Sequence, residues 1–266
     1  MNDVTLVMGN KNYSPWSLTA WLTAKTAGIS FDEIIIPLRS VNTRQEILRY
    51  WYNGKVPILK HGEVTVWESL SICEYIAEMS PNNSIWPSNS RHRAIARSLS
   101  SEVHAGFNLL RDQMPMNIRG KFSAELKTPG VQEEINRITA IWRRCRERFG
   151  EELQGPFLFG SFSILDAFFA PLVTQFNTYS VDVDDVEAII KLKRQAMTSF
   201  PNVTLKGDGR QLQLLSEMDS KQKSKMDVLL ECADEENKVS SSEVCDKWVE
   251  EGVYKTLQKA EREFQA

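Results

Sequence analysis

The spacing of apolar residues changes along the chain, and the changes mark its elements. Residues 4–8 are short, apolar and β-branched-rich and end at Gly9-Asn10, which predicts a strand. Ser14-Pro15 opens a stretch carrying Trp16, Leu18, Trp21 and Leu22, and Gly28 closes it. Proline at the first helical position and glycine just past the end predict a helix between them. Residues 31–36 read as a second strand that stops at Pro37, and a polar helix follows over 42–51. Residues 56–59 and 63–67 are two short strands joined through His61-Gly62, a hairpin signal. Ser69 starts a helix that buries Leu70, Ile72, Cys73, Ile76 and Ala77 and stops at Pro81.

The order is βαβ followed by ββα. A strand–helix–strand unit makes a right-handed crossover to a parallel neighbour, and the hairpin adds antiparallel strands. That is the order of a thioredoxin-like domain, here residues 1–81, with an Asn-, Ser- and Pro-rich linker at 82–90. From residue 91 only helical periods remain. Residues 98–114 carry Leu99, Val103, Phe107 and Leu110 on one face of a single predicted helix. Residues 131–149 carry Ile135, Ile138, Trp142, Cys145 and Phe149 at steps of three and four. Ser163 and Asp166 resemble a capping box ahead of an apolar run, and 182–197 form another predicted helix. The fold class is therefore an α/β thioredoxin-like domain followed by an all-α domain, 91–266.

Residues 201–247 break the pattern. They hold no aromatic residue, and 17 of the 47 are charged, a denser charge than the 25% of the whole chain. Residues 202–215 read as a hairpin and 221–238 as a charged, weakly patterned run, before helix signals return at Val244, Trp248, Val249, Val253 and Leu257. The segment reads as an insertion in the helical domain.

Composition narrows the function. The chain has 266 residues, 42% of them hydrophobic, which suits two globular domains and excludes wholesale disorder. A formal net charge of −3 gives no basic excess for phosphate backbones, so no nucleic-acid partner is expected. Nothing at Met1-Asn2-Asp3 reads as a signal peptide, and no run approaches the ~20 apolar residues that span a bilayer, so no membrane partner is expected. Cys73, Cys145, Cys232 and Cys245 form no C-x-x-C, and only three histidines occur, so no metal site is expected. A reduced, cytoplasmic protein fits these features.

Three places carry chemistry. Ser14-Pro15-Trp16-Ser17 stands where the first strand hands over to the first helix, the place of C-P-x-C in thioredoxin-like redox proteins. With hydroxyls in place of both thiols, dithiol exchange and a glutaredoxin-like role are excluded here. A serine hydroxyl and a helix N-terminus can instead stabilise a bound thiolate, or Ser14 can simply cap the helix. Val56-Pro57 opens a strand after Gly54-Lys55. A cis bond there would present the Val56 backbone to an extended peptide, whereas a trans bond would make Pro57 an ordinary edge proline. Glu68-Ser69 lies at the next strand-to-helix junction. It suits the ammonium and carboxylate of an amino-acid head group, or again a helix cap. Jointly, a thiolate stabiliser, a backbone clamp and a head-group site describe a receptor for a short thiol peptide.

On these residues the sequence resembles the cytosolic glutathione transferases. N-Y-S-P-W-S-L-x-x-W-L, G-K-V-P-I-L and W-E-S-L-S-I-C-E-Y-I-A-E resemble a mostly bacterial branch with serine at the catalytic position. L-S-S-E-V-H-A-G-F-x-x-L-R-x-x-x-P-M-N and F-G-S-F-S-I-L-D-A continue the resemblance into the helical domain. It implies that Ser14 stabilises the thiolate of glutathione, the co-substrate. Val56, ahead of a cis Pro57, would hold the cysteinyl backbone, and Glu68 and Ser69 the γ-glutamyl end. Lys55 would lie near the cysteinyl-glycine portion. Tyr13 is the rival to Ser14, because some classes use tyrosine. The second-substrate pocket would take Tyr13, His104, Phe107 and Arg111, with Asn117 and Arg119 in a covering loop. For His104, Phe107 and Arg111, structural or dimer contacts are the competing role.

The resemblance implies conjugation of glutathione to a small electrophile, a detoxification chemistry, by a homodimer. Isomerisation, peroxide reduction and dehalogenation reuse the same thiolate. A non-catalytic scaffold that kept the fold is the reading from another class. The family's usual chain is about 40–50 residues shorter, which locates the excess at 201–247.

Overall fold

The computed structural model describes residues 3–181, except 39, 81–84, 123–128, 151–152, 154 and 156. The expected helix at 182–197, the insertion at 201–247, the final helix and positions 82–84 of the linker lie outside the described residues.

The first elements are β1 (Val4–Gly9), α1 (Pro15–Thr26), β2 (Asp32–Ile36), α2 (Thr43–Leu48), β3 (Ile58–His61), β4 (Val64–Trp67) and α3 (Ser69–Met79). The strands form one sheet in the order β2-β1-β3-β4, with β1 parallel to β2 and the other pairs antiparallel. This is the thioredoxin-like domain that the βαβ–ββα order predicts. Period-two alternation sorts the strand side chains between two faces. Val4, Leu6, Met8 and Leu59 share a core with α1 and α3. Val7, Ile36 and Ile58 face the other way and pack with Ile47 of α2.

The helices that follow are α4 (Ser90–Ala105), α5 (Asn108–Gln113), α6 (Val131–Cys145) and α7 (Ile164–Thr178). The core under α1 and α3 continues through Val103, Trp142, Leu165 and Phe168. A smaller apolar cluster joins Leu18 and Leu22 of α1 to Ala167 and Ala170 of α7. The linker takes part in this packing: Ile85 and Trp86 are buried, and the Trp86 indole donates to Glu74 of α3 at 3.0 Å.

Two elements differ from the sequence reading. The single helix expected over 98–114 is two helices. α4 ends at Ala105, Gly106 is extended, and Phe107 sits in the left-handed region at φ 59 before α5 begins. The apolar spacing runs through the break because Phe107 and Leu110 are still buried. The helix expected over 131–149 is α-helical to Cys145 and then widens into a π-helical turn, Arg146–Gly150. The capping box is present at α7: the Ser163 N–H and hydroxyl both donate to Asp166 Oδ2, at 2.8 and 2.7 Å.

Candidate active site

Strand register gathers the predicted residues. Val7 of β1 stands opposite Ile58 of β3, and Ile58 opposite Trp67 of β4. β1 leaves the sheet at this end toward Ser14, β3 enters it here directly after Pro57, and β4 leaves it here into Glu68 and Ser69. Three segments distant in sequence thus meet at one end of the sheet, beside the N-termini of α1 and α3. Backbone N–H groups at such termini lack intrahelical partners and carry partial positive charge.

Ser14 is the N-cap of α1 and is buried. Its Oγ accepts from the Ser17 N–H at 3.4 Å, and its hydroxyl donates to Ser17 Oγ at 2.8 Å. Ser17 Oγ also accepts from the Gly9 N–H at 3.0 Å, which ties the helix start to the end of β1. The loop between them is braced by charge. Lys11 is buried, contacts Glu33 Oε2 at 2.6 Å and lies 4.6 Å from the Trp21 ring centroid. Burial raises the Glu33 pKa, but the hydrogen bonds from Lys11 and Trp21 outweigh it and hold the carboxyl below its ordinary value. Tyr13 is half-buried beside Ser14.

The Val56-Pro57 bond is cis. Pro57 is buried, Val56 half-buried and Lys55 exposed. Glu68, before α3, has φ 68, a left-handed conformation that a non-glycine residue rarely holds. Ser69 is buried at the first position of α3.

His104, Phe107 and Arg111 do not share one helix face, because the chain breaks after α4. Phe107 is 6% exposed and packs in the core. His104, in the last turn of α4, reaches across to α3. Its Nδ1 lies 3.4 Å from Ser69 Oγ and its Nε2 3.7 Å from Glu68 Oε2. Arg111 braces the break: Nη2 donates to Val103 O at 3.0 Å and Nε to Gly106 O at 3.4 Å. Its guanidinium stacks 4.3 Å from the Trp16 ring centroid, and burial lowers its pKa to about 10, so it stays cationic at neutral pH. Trp16 meets the His104 ring edge-on at 5.3 Å.

Sequence reasoning missed how firmly the loop after α5 is tied to the Ser14 loop. Asn12 Nδ2 donates to Asn117 Oδ1 at 2.8 Å, and the Arg119 N–H donates to Asn12 Oδ1 at 3.1 Å. Asn12 is 3% exposed; a buried asparagine needs partners, and its position beside the helix start was the available signal. Burial pushes the Cys73 and Cys145 thiols up to about 12, which leaves both inert. Among the described residues no cluster of three or more His, Cys, Asp or Glu could hold a metal, and no helix is long and apolar enough to cross a membrane.

Residues 13–79 match the family profile described as "Glutathione S-transferase, N-terminal domain". The chain is similar to Glutathione S-transferase L2, chloroplastic, of Arabidopsis thaliana, 22% identical over 174 residues that cover 65% of this chain and 54% of that one. It is also similar to maleylacetoacetate isomerase of Rattus norvegicus, 25% identical over 141 residues, covering 53% of this chain and 62% of that one. The chain thus spans just over half the length of these two relatives. Its fold is similar to that of a Burkholderia glutathione transferase homolog solved with bound glutathione, at a TM-score of 0.52 and 21% identity over 75% of this chain and 98% of that one. Residues 13–79 thus match the glutathione S-transferase N-terminal domain, and the fold, a thioredoxin-like domain followed by a helical region, is that of the solved glutathione transferase homolog.

Proposed function

We propose that the chain is a glutathione transferase. Ser14 stabilises the glutathione thiolate, Val56 and Pro57 hold the cysteinyl backbone, and Lys55 lies beside the cysteinyl-glycine portion. Glu68 takes the ammonium and Ser69 the carboxylate of the γ-glutamyl end. The thiolate sulfur bonds to an electrophilic carbon, the leaving group departs with its electron pair, and the thiol proton passes to solvent. Proximity and thiolate generation supply the rate, with no covalent enzyme intermediate. The observation that carries this reading is the strand register, which sets Ser14, Pro57, Glu68 and Ser69 at one end of the sheet beside two helix N-termini. The resemblance of the sequence to the serine branch supports Ser14 over Tyr13. It also supports a cytoplasmic homodimer, a division at 82–90 and a small electrophile as second substrate.

The similarity to maleylacetoacetate isomerase favours one second reading, glutathione-dependent isomerisation, which uses the same thiolate and regenerates it. A calorimetric glutathione titration followed by a panel of aryl halides, epoxides, peroxides and cis-alkenes tests both. Binding in the millimolar range or tighter, with turnover of a halide or epoxide, is the expected result. No binding at millimolar glutathione removes every glutathione-dependent reading and leaves the scaffold.

A further inference from the structure

Helical spacing alone groups His104 with a wall for the second substrate. Its contacts place it elsewhere. The two ring nitrogens approach two consecutive residues, Ser69 Oγ at 3.4 Å and Glu68 Oε2 at 3.7 Å, and these are the residues assigned to the amino-acid head group. The ring is not free to swing away. Trp16 meets it edge-on at 5.3 Å and Phe168 at 6.1 Å, and Trp16 is backed by the Arg111 guanidinium. Packing from α1 and α7, not the polar contacts, fixes its direction.

Both polar distances are longer than the 2.7–3.2 Å of a full N–H···O hydrogen bond. Neither contact uses the full hydrogen-bonding capacity of the imidazole, although its side chain is only 29% exposed. A carboxylate placed at the N-terminus of α3 would meet the Ser69 hydroxyl and the first backbone N–H groups, with Nδ1 3.4 Å from that hydroxyl. Glu68, with half its side-chain surface open, keeps one oxygen toward Nε2 and the other for an ammonium. The left-handed Glu68 backbone is strained, and a side-chain contact from another helix helps to hold it.

We propose that His104 is a third member of the head-group site. With a proton on each ring nitrogen, Nδ1 donates to the γ-glutamyl carboxylate beside Ser69, and Nε2 donates to Glu68 and orients it toward the ammonium. The helical region thereby selects for an α-amino-acid end on the thiol. This rests on the assignment of Glu68 and Ser69 to glutathione.

The test compares kcat/KM for glutathione with that for N-acetylcysteinylglycine, which lacks the head group, at a fixed electrophile. In His104→Ala the glutathione value falls about tenfold and the truncated-thiol value less than about threefold, while KM for the electrophile holds. His104→Asn, which keeps a polar atom near the place of Nδ1, recovers most of the loss and supports the same comparison if the alanine variant folds poorly. Equal losses with both thiols, or a rise confined to the KM of the electrophile, overturn the proposal and return His104 to a structural or second-substrate role. A wild-type protein that uses both thiols equally well removes the head-group assignment itself, and the proposal with it.

Discussion

The Ser14 hydroxyl is already engaged without a ligand, since it both accepts from and donates to Ser17. To donate to a thiolate it must turn its hydrogen away from Ser17 Oγ. Ser17 can then reverse the bond and donate to Ser14 Oγ, because the Gly9 N–H keeps Ser17 Oγ in place. A hydroxyl that accepts one hydrogen bond donates a stronger one. Ser17→Ala is therefore expected to raise the pKa of bound glutathione by about half a unit, less than the loss of Ser14 itself, read from the ultraviolet absorbance of the thiolate across a pH series. At this scale much was legible. Ser14, Pro57, Glu68 and Ser69 each sit at punctuation between a strand and a helix, which sequence reports well. The Gly9–Ser17 bond and the Asn12–Asn117 tie were not legible, because they depend on which loops the fold brings together.

The element scale shows where periodicity misleads. Leu99, Val103, Phe107 and Leu110 keep helical spacing across the α4–α5 junction, yet the backbone breaks there. Burial continues while the helix does not, so a pattern that reports burial cannot see the break. The glycine could have shown it. Gly106 follows the last residue of α4, and a Cβ on it would stand 2.9 Å from the Glu102 carbonyl oxygen, a backbone atom with little freedom to move. Its extended backbone suits any residue, so the cost of Gly106→Ala is steric. A loss of about 1–3 kcal/mol is expected in urea denaturation. The same variant should also weaken glutathione binding, because the break lies two residues past His104. Unchanged stability would mean that the α4 terminus relaxes freely and that the break does not set the site.

At the scale of the molecule, α7 is the central element. It contacts α1 and α4, and nearly every side chain on it is buried. Asp166 anchors its N-terminus, accepting from Leu158 N–H at 3.0 Å as well as from Ser163. Burial pushes the Asp166 carboxyl up from 3.8 to about 6, although its hydrogen bonds pull the other way. A raised folded-state value means stability that is fully present below about 4 and is lost as pH rises through about 6. Asp166→Asn cannot ionise. The wild-type protein should therefore lose about 2–3 kcal/mol relative to this variant between pH 4 and 7, by denaturation at each pH. Glu33, whose value is lowered, contributes the opposite slope, but equally in both proteins, so the difference isolates Asp166. The βαβ–ββα element order, the helical second region and the capping box all followed from sequence at this scale. The insertion at 201–247 lies beyond the described residues.

The thiolate titration of bound glutathione tests the central claim most directly. In the wild-type protein and in Tyr13→Phe the bound thiol should ionise below its value in free solution. In Ser14→Ala that value should rise by about one unit or more, toward free glutathione. The account is contradicted if Tyr13→Phe raises it while Ser14→Ala leaves it where it was.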